Sequence, residues 1–489
     1  MKKRQDRGGR ESQALQEPVV IIGGGPAGLT AAYELVRAGI RPIVLEKTDK
    51  VGGIARTESY KGFRFDMGGH RFFTKSDLVK LIWEEVLGKD FLRRPRLSRI
   101  YYKGRFFHYP LRPWNVLNNL GLIEAARIVI SYLRWRFFPY KDMESFEHFV
   151  TNRFGRRLFQ TFFQTYTEKV WGIPCSELKA EWAAQRIKDL SMRTALLRML
   201  GQGTGNVRSL IEEFSYPRLG PGMMWNAVKK YLEKHGAAVR LNTDVISIGR
   251  EGTVVRHVTI ASGGRTEILP AGHVISSMPV TEAMKKLEPA VSAPIQAATQ
   301  QLRYRDFLTV CLIVNRPSLF PDNWIYVHDP SVKVGRIHNF KNWSPDMVPD
   351  PSKSSLGLEY FCQEGDELWT MPDADLIELG KQEVNRIGLA NEADIEDGAV
   401  FRVPKAYPVY DSTYRDALNH IREFLQGLEN FQTIGRNGLH RYDNQDHAML
   451  TGILAVRNLL AGEQHDLWNI NSDATYHEEI RPPLSKPGS

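Results

Sequence analysis

Val19, Val20, Ile21 and Ile22 form an unbroken apolar run, the pattern of a strand buried on both faces of a parallel sheet. A helical pattern follows from about Leu29 to Arg37, closed by Gly39, and Pro42 to Leu45 reads as a second strand. Later segments repeat the alternation of types. Leu120 to Phe138 and Ser145 to Arg193 are helical, and the first reads as a core helix of an inserted domain, with a membrane-surface helix as the minority reading. Helix Met224 to His235 runs into strand Ala238 to Leu241, and Asp244-Val245 begins another strand. Thr253 to Ile260 with Glu267 to Leu269 predicts a hairpin, as does Lys103-Gly104 between two aromatic runs. Val274 to Pro279 reads as a return to the first sheet. Tyr304 to Asn315 and Trp324 to Asn339 alternate like antiparallel strands, and Leu358 to Cys362 is another strand. Val403 to Tyr410 is expected as an extended loop, and Leu450 to Leu460 as a helix after a glycine turn at Gly435.

Between the first strand and helix lie Gly23, Gly25 and Gly28, in the spacing G-x-G-x-x-G. Gly23 permits the tight turn, Gly25 lets a pyrophosphate reach the backbone, and Gly28 lets the helix lie close on the strand. The helix start offers free N–H groups and a positive dipole end to that phosphate. Glu46 closes the second strand where a ribose hydroxyl is expected. Strand, glycines, helix, strand and acid in register predict a dinucleotide site. Gly52-Gly53 and Gly68-Gly69-His70 repeat the device of paired glycines at strand ends.

Composition changes this picture little. The 489 residues suffice for two or three domains. The three cysteines, Cys175, Cys311 and Cys362, are far apart and unpatterned, which fits a reducing cytoplasm and offers no metal site. Net charge is +9, and without a nucleic-acid motif it points to phosphate-bearing small molecules. Arg93, Arg94, Arg96, Arg99, Lys103 and Arg105 interleave with aromatics and read either as a basic wall facing phosphates or as the solvated side of a hairpin. Met1 to Glu17 is polar and basic, with no apolar stretch of a signal peptide.

The order of motifs resembles the glutathione-reductase-like FAD fold of amine oxidases, protoporphyrinogen oxidases and carotenoid desaturases, and within it the UDP-galactopyranose mutase family. The resemblance covers about Val19 to Leu460. It rests on Asp66-Met67-Gly68-Gly69-His70, Lys169-Val170-Trp171-Gly172-Ile173-Pro174, Tyr216-Pro217-Arg218, Gly335-Arg336 and Gly435-Arg436-x-Gly438-x-x-Arg441-Tyr442. It implies an α/β fold: a doubly wound FAD-binding domain, a helical insertion and an antiparallel substrate-binding sheet. The expected divisions are a tail at 1–17, the FAD domain at 18–90, 216–285 and 426–465, a mainly helical insertion at 91–215, the substrate sheet at 286–425 and a C-terminal tail at 466–489.

The resemblance also implies roles. Arg218 and Arg336 would grip a substrate diphosphate, with His70 as a third catalytic candidate. Trp324, Tyr326, Tyr407, Arg436, Tyr442 and Asn444 would line the substrate site. FAD would lie against Gly23, Gly25, Pro26, Ala27, Gly28, Glu46, Lys47, Gly53, Ile54, Ala55, Arg56, Gly68, Gly69, His70, Val245, Gly435, Arg436, Asn444, Gln445 and Met449. Arginine suits this task because its charge is permanent and its fork matches phosphate. The implied reaction is contraction of a nucleotide-sugar pyranose to a furanose through an adduct of the sugar with N5 of reduced FAD, a step of cell-wall polysaccharide biosynthesis. An external reductant such as NAD(P)H or a reduced flavin is implied. An oxidoreductase of the amine oxidase or desaturase type is the alternative, and a flavin-free prenyl-binding escort like the Rab GDP-dissociation inhibitors is a third reading. Asn444 departs from the aspartate usual in bacterial mutases. Oligomerisation and peripheral membrane contact stay open.

Overall fold

Val19–Ile22 is buried at every position because the sheet around it is parallel and covered on both faces. The computed structural model describes residues 17–181 and 213–470. The expected tails, except their inner ends, the loop Gly201 to Asn206 and the end of the helical block lie outside these residues. The parallel sheet has the order Phe431–Thr433, His273–Ser276, Val19–Ile22, Ile43–Leu45, Ala238–Arg240. The helix Pro26–Arg37 starts three residues earlier than expected, with Pro26 in its first turn. It packs against Gly222–Lys234 and Gln445–Ala461. A Cβ on Gly452 would stand 2.5 Å from the Ala27 carbonyl, so glycine sets that close helix crossing.

A seven-stranded sheet forms the other half. Its order is Ile395–Pro408, Tyr304–Val314, Ser354–Cys362, Arg336–Asn339, Trp324–Val327, Ser98–Tyr102, Arg105–His108. It is antiparallel except where Trp324–Val327 meets Ser98–Tyr102. Ser354–Cys362 is buried throughout, as a central strand should be. A four-stranded sheet carries the expected hairpin, Val254–Ser262 with Arg265–Pro270. Lys103 and Gly104 both take positive φ, as a two-residue hairpin turn demands.

Two expectations are corrected. Val403 to Pro408 is not a loop but the end of the fourteen-residue strand Ile395–Pro408, with a register shift opposite Arg305 and Phe307 and Lys405 at φ +52°. An irregular ladder, not the absence of one, admits Pro404 there. The segment from Leu120 to Phe138 is not a core helix. Helix Pro113–Leu120 stops at Gly121, and Leu122–Phe137 leaves it at 119° with Ile128 as its one buried residue. Leu122, Ile123, Ile130 and Phe137 are 66–77 % exposed. The amphipathic pattern is real, but its apolar side faces outward.

Burial pushes four imidazoles well below their ordinary value: His70, His273 and His440 to about 4, and His328 to about 3. Each is lower in the folded than in the unfolded state, so its stabilisation is complete above pH 6.5 and is lost as pH falls toward 4. Asp66, raised to about 7 by burial, works in the opposite direction. At about 1.4 kcal/mol per pH unit for each group, four histidines outweigh one aspartate. Denaturant unfolding should therefore give a lower stability at pH 4.5 than at 6.5, by a few kcal/mol. Equal stability at both would contradict the neutral, buried imidazoles.

Candidate active site

The glycine turn after Val19–Ile22 builds the first half of the site. Gly23 takes φ +101°, and a Cβ there would lie 2.2 Å from Ser277 Oγ. On Gly28 a Cβ would lie 2.1 Å from the Gly23 carbonyl, which is how closely the helix approaches the strand. Gly25 differs. Its nearest neighbour would be Gly53 Cα at 3.7 Å, so the space beyond it is open to a ligand. Gly25 caps the helix with no side-chain bond, and the first-turn amides of Ala27 and Gly28 have no partner within the helix. Together with the helix dipole they form an anion site.

Neighbouring turns brace this cradle. The Gly52 amide donates to the Gly24 carbonyl at 2.8 Å, bringing the Gly53–Ala55 turn, with Ile54, against Gly25. Glu46 is buried, with Oε2 accepting from the Gly24 amide at 2.8 Å and Oε1 from Thr48. Lys47 beside it is exposed. Arg56 donates to Glu58 at 2.6 Å and to the Gly53 carbonyl. A Cβ on Gly435 would sit 2.7 Å from Ala27 Cβ, so the C-terminal motif closes on the helix start. Asn444 caps helix Gln445–Ala461. Gln445 accepts from the Trp225 indole, Met449 Sδ from that of Trp83, and Val245 is buried on its strand.

The second half is long-range. Arg336 lies directly across from Glu359 in the antiparallel ladder, with Nη1 3.5 Å from Glu359 Oε2. Its Nη2 donates to the Tyr166 hydroxyl at 3.2 Å. Burial works against this charge, but Glu359 and the surrounding tyrosines keep Arg336 protonated. Burial works against the Glu359 charge too, yet Arg336 and His338 hold its carboxyl below the ordinary range. Burial keeps His338 neutral, and its Nε2 donates to Glu359 Oε1 at 2.6 Å. Arg336 Nε and His338 Nδ1 have no hydrogen-bond partner among the described residues. Buried polar atoms left so cost about 1–3 kcal/mol each unless a ligand or water answers them.

Around this pair the aromatic residues close in. Arg336 lies over the Tyr326 ring, and Trp324 and Tyr326 pack edge to face. Tyr407 and Tyr442 stack at 5.5 Å and 15°, with the Arg436 guanidinium over both. Arg436 is fixed by donating to the Asp443 and Ala406 carbonyls. Trp171 packs on the same tyrosines, and Lys169 ties its helix to the sheet through the Asp329 and Val334 carbonyls. His70 stands between the halves. Burial pushes it down to about 4, so it is neutral, and its Nε2 donates to the Met67 carbonyl at 2.8 Å, leaving Nδ1 as an acceptor. Gly68 and Gly69 admit Glu359 and His338 beside it.

The structure thus gathers His70, Trp324, Tyr326, Arg336, Tyr407, Arg436 and Tyr442. It does not bring Arg218 to them. That guanidinium is 40 % exposed and donates to Asp90 at 2.9 Å and Asp346 at 3.1 Å. The neighbouring motif residue does reach inward, for Tyr216 donates to the buried Asp66 carboxyl. The cavity before Arg336 is lined by Gly69, Arg71, Trp324, Tyr326, His338 and Trp343. Arg71, Tyr166, His338, Trp343 and Glu359 were not anticipated. His338 could have been, two residues along the same strand face as Arg336. Glu359 is a lone acid in an apolar run, also a readable signal. Of the basic stretch, Arg96 lies over Trp324, whereas Arg99 pairs with Asp322.

Residues 26–460 match the model of the flavin containing amine oxidoreductases. The chain belongs to this family. It is an FAD-dependent enzyme of the amine oxidase superfamily, and the glycine cradle and helix start fit that cofactor. Among curated relatives, it is 28 % identical over 281 residues to the neurosporene-forming phytoene desaturase of Cereibacter sphaeroides, covering 53 % of this chain and 52 % of that one. An L-amino-acid oxidase of Crotalus adamanteus is 34 % identical over 129 residues, 24 % of each. The match thus spans about half of the first relative and a quarter of the second. The fold is also that of a reduced UDP-galactopyranose mutase (TM-score 0.80, 21 % identity, 94 % of this chain and 98 % of that one). A putative protoporphyrinogen oxidase from Exiguobacterium sp. 255-15 follows at 0.69 and 17 % identity, over 91 % and 99 %. Among the described residues no single helix is long and apolar enough to cross a membrane.

The two glycines separate folding from cofactor binding. Gly25→Val should leave the fold intact, because its Cβ meets only ordinary contacts, yet weaken FAD by a hundredfold or more, about 2.7 kcal/mol. Gly28→Ala should unfold the domain instead. Circular dichroism with FAD titration checks both; a Gly25→Val protein that keeps FAD moves the pyrophosphate elsewhere.

Proposed function

We propose that the protein is a nucleotide-sugar mutase that interconverts pyranose and furanose forms. One observation carries this reading: a charged arginine, Arg336, with its side chain only 16 % exposed and a buried, unanswered Nε, lines the cavity among tyrosines. An apolar desaturase or amine substrate has no need of a buried cation, whereas a diphosphate leaving group does. The solved mutase that shares the fold names a substrate of that class.

On this reading Arg336 binds the diphosphate, and Tyr407, Tyr442 and Tyr166 offer hydroxyls from stiff rings. Arg436, held by two carbonyls, adds positive charge over Tyr407 and Tyr442. As the bond from the anomeric carbon to the phosphate oxygen breaks, negative charge builds on that oxygen, and Arg336 stabilises it more strongly than in the ground state. Trp324 and Tyr326 exclude water from the sugar. Neutral His70 can accept a proton at Nδ1. Reduced FAD, when bound, supplies the electron-rich centre the reaction requires, with no net redox change. The desaturase and oxidase names of the curated relatives favour a second reading, a net oxidoreductase.

Arg336→Ala should lower mutase rate by about 10²–10³, roughly 2.7–4 kcal/mol, with FAD retained. Arg336→Lys should recover part of it, since a point charge cannot fork. Arg218→Ala should stay within about twofold of wild type, an exposed ion pair contributing little. Product chromatography after reduction with dithionite reads these rates over a panel of nucleotide sugars. Reductant or oxygen consumed at each turnover would hand the site to the oxidoreductase reading.

A further inference from the structure

The helix Leu122–Phe137 turns its apolar side to the outside. At 100° per residue, Leu122, Ile123, Ala126, Ile130, Leu133 and Phe137 fall on one arc of about 100°, and all are exposed. Ile128, the buried residue, lies on the opposite side. Arg127 and Arg134 flank the arc on one shoulder and Arg136 on the other, all three exposed. Trp114 on the preceding helix and Phe138 at the end add exposed aromatic surface. The one acid on the helix, Glu124, lies away from the arc and is neutralised by Arg157 at 3.1 Å and Arg127 at 3.5 Å. Asp142 and Glu144 lie beyond the helix end. The exposed face is therefore apolar in the middle and cationic at both edges.

We propose that this face docks onto the surface of a bilayer containing anionic lipid. Leu122–Phe137 is about 24 Å long, short of a hydrocarbon core of about 30 Å. The helix before it departs at 119°, so the two do not line up as one straight span. Lying in the interface, the arc sinks among acyl chains while arginines on its shoulders reach headgroup phosphates and the aromatic rings sit at headgroup depth. Charge selects the occupant: an apolar partner surface would have to bury three arginines, whereas an anionic interface pairs them.

The test is co-sedimentation of the full-length, FAD-loaded protein with vesicles of phosphatidylcholine alone or mixed with phosphatidylglycerol. Binding is expected to the mixed vesicles, weakened by salt. Leu122→Ser/Ile130→Ser/Phe137→Ser should lower it at least about tenfold with melting temperature and flavin absorbance unchanged. Arg127→Gln/Arg134→Gln/Arg136→Gln should erase the preference for phosphatidylglycerol. Displacement by inorganic phosphate at matched ionic strength would make a free anion, not a bilayer, the ligand. Absence of binding to both vesicle types overturns the proposal; a dimer that the serine variant converts to monomer identifies a second copy as what covers the face. Retention of binding by the serine variant overturns it equally.

Discussion

A charge drawn largely out of water needs a counter-charge, and Arg336, 16 % exposed, finds one in the fully buried Glu359 directly across two antiparallel strands. This pairing ties the electrostatics of the site to the register of the seven-stranded sheet. A slip of the Arg336 strand by one residue would set Leu358 or Tyr360 opposite Arg336 and put the two charges on opposite faces of the sheet. The geometry is also graded. Glu359 gives its close contact, 2.6 Å, to His338 and stands 3.5 Å from Arg336. It offsets the guanidinium's burial without filling its hydrogen-bonding edge. Arg218 shows the other outcome, with two carboxylates at bonding distance and solvent around them. Both are arginines after short motifs; only one keeps capacity for an anion in a water-poor setting.

How much of this is legible in the sequence follows the range of the interactions. The dinucleotide cradle is nearly all local. Gly23, Gly25, Gly28 and Glu46 fall within one βαβ unit; Gly23 makes the turn and Gly28 the close helix approach that their spacing predicts, Gly25 faces open space, and the Glu46 carboxylate accepts from the Gly24 amide. The substrate half is assembled from strands and helices far apart in the chain. The resemblance pairs Arg218 with Arg336, but the bonds of Arg218 to Asp90 and Asp346 join positions that no local pattern connects. Val403 to Tyr410 reads as an extended loop, whereas Val403 to Pro408 is ladder with a register shift at Pro404, which cannot donate a ladder bond. Leu122–Phe137 carries a correct helical period, yet periodicity states only that two faces differ. Which face is covered depends on the rest of the fold.

This division also explains why family and fold stop short of the reaction. The flavin half is common to desaturases, oxidases and a mutase, and shared architecture does not choose among them. The mutase reading proposed above rests on the cavity wall, where a charge-bearing, aromatic surface suits an anionic substrate. That wall continues toward the surface. Arg96 lies over both Trp324 and Tyr109, and Tyr109 packs edge-on against Tyr326 at 5.1 Å. Beyond Tyr109 the chain enters helix Pro113–Leu120, pinned to the hairpin by Asn115 and Asn119, and then the outward-facing helix. Cavity wall and apolar face are thus one mechanically continuous stretch. A chain of direct contacts runs from the start of the helix pair through Tyr109 to Tyr326 and the aromatic wall before Arg336.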